Sequence, residues 1–240
     1  IYYSRIYIYT LNPLIHYSYT HYIHSVTISY CSNKKSISGN NCVGGILGYA
    51  TYVDEISAFE NTADITGNNY VGGYAGQTTT RTLIQLVENN NKITGKAYVG
   101  GIAGSTGSLK GCINNGTIIS SGVLVEGSTP VACVGGIAGY ATSIENCTNN
   151  SDISVATGGQ FVGGIVGKLQ ASKGSNFKNC SNNGDISSNS SYVGGIAGYV
   201  KASDTSSSNW ILQIDNNENL GIIVSLSGNY VGGIAGYIKD

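Results

Sequence analysis

The stretch Val134–Tyr140 reads Val-Gly-Gly-Ile-Ala-Gly-Tyr, and it recurs with small changes seven times along the chain of 240 residues. A phrase repeated at such intervals is the signature of a repeat protein. The copies are separated by 28, 28, 35, 28, 31 and 38 residues, which indicates a base repeat of 28 residues with insertions. The first glycine of each copy is Gly44, Gly72, Gly100, Gly135, Gly163, Gly194 and Gly232.

A second block accompanies each copy of the first. It begins with a small or apolar residue, such as Cys147, and continues with Asn two positions later and an aliphatic residue six positions later. The Asn residues are Asn33, Asn61, Asn89, Asn114, Asn149, Asn182 and Asn216, and the aliphatic residues are Ile37, Ile65, Ile93, Ile118, Ile153, Ile186 and Leu220. The length varies only between the blocks. We therefore predict strands and turns within the blocks and loops between them.

The composition of the blocks favours strands over helices. Apolar positions alternate, and the phrase Tyr-Val-Gly-Gly-Ile is rich in β-branched and aromatic residues. We predict an all-β fold, a parallel β-solenoid similar to a β-helix, with about seven stacked coils and roughly two or three short strands in each.

Equivalent residues of a solenoid stack on one another from coil to coil. The seven Asn side chains are therefore predicted to form a ladder at a turn, in which each amide pairs with its neighbours and with turn backbone. The glycine pair is expected either to adopt positive φ or to let adjacent coils approach closely.

The N-terminal segment differs from the rest of the chain. Residues 1–25 are crowded with Tyr and Ile and include His16, His21 and His24. We interpret them as an atypical cap of the solenoid, the alternative being sequence with no folded role, and we assign residues 26–240 to the repeats. The chain has no initiator Met and stops within its seventh unit, so we expect it to be an excerpt of a longer polypeptide, truncated at the C-terminus.

Charge and hydropathy argue against two classes of partner. The 12 basic and 13 acidic residues are sparse and balanced, and no basic stripe is available to neutralise phosphates. No apolar run approaches the roughly 20 residues that a membrane-spanning helix requires. We therefore expect no nucleic-acid partner and no membrane span in this segment.

The sequence contains no recognisable catalytic or metal-binding motif. Nucleophilic catalysis by Cys or Ser needs a nearby base, and no His follows His24. The six cysteines contain no Cys-x-x-Cys pair and share repeat positions with aliphatic and aromatic residues, so we interpret them as buried thiols without disulfides. The glycine-rich phrase lacks the Lys-Ser/Thr ending of a phosphate-binding loop. We predict no enzymatic activity, no cofactor and no metal.

One acidic pair is the exception that merits a test. Asp152 and Asp185 each precede the aliphatic residue of the second block, and neighbouring coils would place them about 5 Å apart on an outward face. Paired carboxylates at such a separation can serve glycoside chemistry or hold Ca²⁺. A solvated face is the favoured interpretation, because other copies hold Lys92 and Thr117 at this position.

At this point the chain resembles a known family, the GLUG repeat of bacterial and some protist surface proteins. The resemblance is carried by Val134–Tyr140 and by the Ile-Glu-Asn-Cys-Thr-Asn-Asn-Ser-Asp-Ile stretch at Ile144–Ile153, and it covers roughly residues 28–240. It implies an extracellular, cell-wall-associated or adhesin-like module without catalytic residues in the repeat. The repeat also occurs in the non-catalytic part of IgA-cleaving metallopeptidases. Tyr74, Gln77, Ser105 and Lys168 depart from the pattern.

Three functional hypotheses follow. The leading one is a non-enzymatic module, extracellular or at the cell surface, that acts as a stalk or adhesin and binds a cell-surface glycan or protein through inserted loops at residues 119–134, 199–213 and 221–231. The second is an accessory segment of a secreted peptidase or glycan-active enzyme whose catalytic domain is not in this chain. The third is a β-helix carbohydrate enzyme that uses Asp152 and Asp185 directly.

Overall fold

The computed structural model describes residues 26–51, 53–57, 60–122, 132–156, 161–202 and 210–239. Every regular element in these ranges is a β-strand, and the strands form five parallel sheets. One strand from each sheet, taken in chain order, makes one coil, after which the chain returns to the first sheet. The predicted parallel β-solenoid is confirmed. The predicted cap, residues 1–25, lies outside the described residues.

The 34 strands are short because the chain turns a corner every few residues. Coils 1 to 3 contain β1 (Thr27–Ser29), β2 (Ile37–Ser38), β3 (Asn41–Gly44), β4 (Leu47–Tyr49), β5 (Glu55–Ser57), β6 (Glu60–Asn61), β7 (Ile65–Thr66), β8 (Asn69–Gly72), β9 (Ala75–Gln77), β10 (Leu83–Gln85), β11 (Glu88–Asn89), β12 (Ile93–Gly95), β13 (Ala97–Gly100) and β14 (Ala103–Ser105). Coils 4 and 5 contain β15 (Ser108–Lys110), β16 (Ile113–Asn114), β17 (Ile118–Ser120), β18 (Cys133–Gly135), β19 (Ala138–Ala141), β20 (Ser143–Glu145), β21 (Thr148–Asn149), β22 (Ile153–Val155), β23 (Phe161–Gly163) and β24 (Val166–Ala171). Coils 6 and 7 contain β25 (Phe177–Lys178), β26 (Ser181–Asn182), β27 (Ile186–Ser188), β28 (Tyr192–Gly194), β29 (Ala197–Ala202), β30 (Ile214–Asp215), β31 (Glu218–Asn219), β32 (Ile223–Ser225), β33 (Tyr230–Gly232) and β34 (Ala235–Lys239).

Each strand pairs with its counterparts in the adjacent coils, in register. Sheet 1 is β1-β5-β10-β15-β20-β25-β30, sheet 2 is β6-β11-β16-β21-β26-β31, sheet 3 is β2-β7-β12-β17-β22-β27-β32, sheet 4 is β3-β8-β13-β18-β23-β28-β33, and sheet 5 is β4-β9-β14-β19-β24-β29-β34. Coils 1 and 7 have a described neighbour on one side only, so five coils are enclosed on both sides. The expected number of about seven stacked coils is thus slightly high for the packed part, and each complete coil has five strands, more than predicted.

The interior holds two separate hydrophobic columns. In the first, aliphatic and aromatic side chains of sheet 1, such as Ile144 and Phe177, pack against Ile137 and Ala138 at the start of sheet 5. In the second, the Ile residues of sheet 3 pack against the Val residues of sheet 4. Because every coil adds one layer to each column, apolar burial accumulates coil by coil and not around a single centre.

A ladder of Asn side chains runs between the two columns. The Asn149 side chain is fully buried, and its Nδ2 donates to Asn182 Oδ1 at 2.7 Å and to the Ser151 carbonyl at 2.7 Å. Its Oδ1 accepts from Asn114 Nδ2 at 2.8 Å. Both N–H hydrogens and the carbonyl oxygen of the amide are therefore hydrogen-bonded. The same amide-to-amide bond joins Asn61 to Asn89, Asn89 to Asn114, and Asn182 to Asn219. The predicted ladder is present.

One predicted ladder position is wrong. Asn219, not Asn216, pairs with Asn182, and Ile223, not Leu220, pairs with Ile186. Asn216 instead turns the corner between sheets 1 and 2, with a φ of 53° that matches the corner residues Asn146 and Asn179. Asn tolerates this left-handed conformation better than most residues, so the same residue type suits both places and the spacing alone chose the wrong one.

The glycine pair serves close approach and not positive φ. Among the described residues, the glycines with positive φ are Gly111, Gly122 and Gly174, none of which belongs to a pair. A Cβ on Gly135 would lie 2.2 Å from the Ala138 carbonyl oxygen, and a Cβ on Gly136 would lie 2.3 Å from Cγ of Asn149. The first glycine therefore permits the tight arch from sheet 4 to sheet 5, and the second leaves room for the Asn ladder.

Four cysteine thiols lie in the buried interior. Cys112, Cys133, Cys147 and Cys180 are buried, as predicted, and all six cysteines are free thiols. The prediction of burial is wrong for Cys31, which is exposed, and for Cys42, which is half-buried. Burial raises the pKa of the Cys133 thiol to about 12, with a small opposing effect of Lys168. Burial, followed by hydrogen bonding to Cys112, also raises the pKa of Cys147. The folded chain therefore keeps the Cys133 and Cys147 thiols neutral.

The ladder predicts an asymmetry between two adjacent Asn residues. Asn149→Ala removes an acceptor of Asn114 and a donor to Asn182 inside the solenoid, and we expect it to lower the free energy of unfolding by about 2 to 3 kcal/mol. Asn150→Ala is the matched control at the exposed residue that follows the strand, where water replaces the lost bonds, and we expect a loss of less than about 1 kcal/mol. Urea unfolding of both variants measures the difference; equal losses would contradict an interior ladder.

The buried thiols predict a loss of stability in alkali. The unfolded chain releases the Cys133 proton near pH 9, whereas the folded chain holds it to about pH 12, so the free energy of unfolding must fall across that interval. Cys133→Ala should make this fall shallower by up to about 1.4 kcal/mol per pH unit. Val162→Ala removes volume from the adjacent coil without a titrating group and should leave the slope unchanged. Unfolding titrations between pH 8 and 11 decide the matter; identical slopes in wild type and Cys133→Ala would refute it.

Candidate functional site

The structure places the predicted acidic pair in adjacent coils on the exposed exterior. Asp152 Oδ1 accepts from the backbone N–H of Asp185 at 2.9 Å, and Asp185 Oδ1 accepts from the backbone N–H of Ile222 at 2.8 Å. Asp64 makes the same contact with the N–H of Lys92 at 3.2 Å, and its second oxygen lies 3.9 Å from Lys92 Nζ. Each carboxylate thus ties its own coil to the next by accepting an outward-facing backbone donor.

The acidic pair is not part of a metal-binding cluster in the described part of the chain. Within the described ranges, no group of three or more His, Cys, Asp or Glu residues is arranged to hold a metal ion. The three histidines lie in residues 1–25, outside those ranges. The arrangement that the structure shows for Asp152 and Asp185 is a hydrogen-bonded stack.

A second row of Asn residues lies on the exterior, and the sequence reasoning missed it. Asn115 Nδ2 donates to Asn90 Oδ1 at 2.8 Å, Asn150 Nδ2 donates to Asn115 Oδ1 at 2.8 Å, and Asn183 Nδ2 donates to Asn150 Oδ1 at 2.7 Å. The signal was present as Asn-Asn doublets, in which the first Asn ends a strand and is buried and the second follows the strand and is exposed.

A polar groove of about 340 Å³ crosses the corner between sheets 5 and 1. The connections here are short in the middle coils, residues 106–107 and residue 142, and longer on either side, residues 78–82 and 172–176. Long turns that flank short ones leave a saddle between them. Its lining includes Thr80, Ser108, Lys110, Thr142, Lys173 and Asn176.

The predicted binding loops are only partly described. Residues 119–134 begin and end in strands β17 and β18, and residues 199–213 begin in β29, while residues 123–131 and 203–209 lie outside the described part of the chain. The third predicted insertion is much shorter than residues 221–231, since β32 and β33 leave only residues 226–229 between them. This error has the same origin as the misplaced Asn216.

The outer surface of sheet 5 carries tyrosines and lysines in register. We call this surface the tyrosine–lysine face, and it consists of Tyr140, Lys168, Tyr199, Lys201, Tyr237 and Lys239. Aromatic residues from the start of the sheet 4 strands border it: the Phe161 ring lies 4.5 Å from that of Tyr199, and the Tyr192 ring lies 5.6 Å from that of Tyr237. Burial raises the pKa of Tyr140, so this phenol stays neutral at physiological pH.

The acidic pair supports a test of the enzyme hypothesis. We expect Asp152→Asn with Asp185→Asn to unfold within about 0.5 kcal/mol of wild type, because each amide keeps an acceptor oxygen for the neighbouring N–H. We also expect wild type to release no reducing ends from a panel of polysaccharides. Activity in wild type that the double variant loses would establish these residues as a catalytic pair.

Comparison with known proteins adds one match. A family model described as the GLUG motif matches residues 131–154, which extend from β18 through β21 into β22 and therefore correspond to one turn of the solenoid. No curated protein and no solved structure was found to match the chain. Among the described residues, no helix is long and apolar enough to cross a membrane. The chain therefore contains a GLUG motif at residues 131–154, and the turn that these residues form recurs in register along all five sheets.

Proposed function

We propose that this chain is a non-enzymatic extracellular repeat module that acts as a surface stalk or adhesin, with a cell-surface glycan or protein bound by its inserted segments. The observation that supports the proposal is that the repeated residues and the variable segments lie in different parts of each coil. The repeated Asn, Gly and aliphatic residues are committed to stacking, whereas the lengths that vary lie at two corners, between sheets 3 and 4 and between sheets 5 and 1.

The stacked coils suit a spacer. The six or seven strands of each sheet, spaced at about 4.8 Å, give a column about 30 Å long. Its coils are joined by hydrogen bonds that run along the axis, including the Asn ladder and the carboxylate contacts of Asp152 and Asp185. Such a column holds loops at fixed heights along its side, which is the property that a surface-displayed binding module needs.

Shortened loops test where binding resides. We would replace residues 121–132 with the two-residue connection Gly67-Asn68, and residues 203–213 with residues 172–176, because these connections join the same pairs of sheets in other coils. Adhesion of labelled protein to cells or to a glycan array should weaken at least about tenfold, equivalent to about 1.4 kcal/mol. A control with the order of residues 123–131 scrambled keeps the loop length and should lose adhesion as well. Unchanged adhesion in the shortened variants would contradict the proposal that the inserted loops bind the ligand.

A further inference from the structure

Like charges stack directly on one another on the tyrosine–lysine face. Lys201 of β29 pairs in register with Lys239 of β34, and Lys168 lies one coil before Lys201 on the same outer surface. Like charges placed opposite each other destabilise a sheet. Opposite charges meet in adjacent coils at two other places, Lys178 with Glu145 at 3.8 Å and Lys92 with Asp64 at 3.9 Å. The lysines of the face have no such contact with a carboxylate among the described residues.

No carboxylate in the neighbouring strands offsets these lysines. The strands of sheets 4 and 5 contain no Asp or Glu, and their three basic residues are Lys168, Lys201 and Lys239. The chain as a whole carries a net charge of only −1, so the cationic character is local to this face. A local excess of positive charge in these described strands favours an anionic ligand.

The aromatic rings restrict what kind of anion fits. The Tyr199 and Tyr237 rings are stacked, with centroids 5.6 Å apart and planes 20° apart. Lys168, which pairs with Tyr199 from the preceding coil, places its Nζ 5.8 Å from the centroid of the Tyr199 ring. The Tyr192 and Tyr230 rings are stacked at 4.9 Å and 5°. Because the rings within the column cover one another's faces, the face offers mainly ring edges and phenol groups to a ligand.

We infer that the tyrosine–lysine face binds a linear anionic polysaccharide, with carboxylate or sulfate groups on Lys168, Lys201 and Lys239 and sugar hydroxyls on the phenols. Lys201 and Lys239 follow one another at the coil spacing of about 4.8 Å, and Lys168 lies one coil earlier, in register with Tyr199 and two residues away from their column. An extended polymer that runs along the solenoid axis therefore meets one ammonium group in each of three successive coils. The inference extends the proposed function by naming a partner and a surface for it, and it rests on that function; the surface lies on sheet 5 and not in the inserted loops.

Equal changes of net charge at two places test the inference. The face variant is Lys168→Gln, Lys201→Gln and Lys239→Gln, and the control is Lys34→Gln, Lys35→Gln and Lys96→Gln, which removes three positive charges from other surfaces. Binding of fluorescent polygalacturonate and dextran sulfate would be measured by anisotropy, with neutral dextran alongside. We expect the face variant to bind at least tenfold more weakly, the control to bind within about threefold of wild type, and dextran not to bind.

Stability and salt dependence complete the test. Removal of the Lys201–Lys239 repulsion should leave the thermal unfolding midpoint of the face variant equal to or above that of wild type, so weaker binding cannot be assigned to unfolding. The slope of log affinity against log salt should also become shallower. Equal losses in both triple variants, binding of neutral dextran, or tighter binding of single-stranded DNA than of either polymer would overturn the inference.

The loop variants separate this inference from the proposed function. The chain with shortened loops keeps its face and should bind polygalacturonate as wild type does. If wild type binds neither anionic polymer but still adheres to cells through its loops, the inference fails and the proposed function stands. If anionic polymers bind but no cell or glycan surface does, the adhesive role fails while the face remains an anion-binding surface.

Discussion

The hydrogen bond from one buried Asn amide to the next is the interaction on which the rest of the solenoid depends. Asn149 lies between two apolar columns, where an unpaired amide would be costly, and its partners are the equivalent residues of the adjacent coils. The bond is satisfied only when the coils stack in register. The ladder also requires glycine at position 136, because any side chain on Gly136 would occupy the space of the Asn149 amide.

Much of the fold could be predicted from spacing alone. In-register stacking places the same residue type at the same site in each coil, so Asn61 to Asn182 and the aliphatic residues beside them could be identified without a structure. The prediction was wrong at Asn216 because Asn suits two sites, the interior ladder and the left-handed corner. Gly221 lies against Gly184 in the adjacent coil. Gly184 follows Asn182 by two residues and Gly221 follows Asn219 by two, so this spacing would have identified Asn219 as the correct ladder residue.

The surface features were harder to predict, because they arise from differences between coils. The saddle near Ser108 exists because two short connections lie between longer ones, which no single repeat reveals. The stacked lysines were visible as Tyr-Val-Lys ending at Lys201 and Tyr-Ile-Lys ending at Lys239, but their meaning depends on the register that brings them together. Function in such a protein is therefore best sought where a coil departs from the repeat, since the repeated residues are already engaged in stacking.

The most direct test of the interior ladder is hydrogen exchange of the Asn side-chain amides, followed by NMR on protein labelled with ¹⁵N. Both Nδ2 hydrogens of Asn149 are bonded inside the solenoid, one to Ser151 and one to Asn182, and the equivalent side chains are buried in the neighbouring coils. The account predicts strongly protected side-chain amides at Asn61, Asn89, Asn114, Asn149 and Asn182, and rapid exchange at the outward-facing Asn150 and Asn183. Rapid exchange at all of these positions would contradict it.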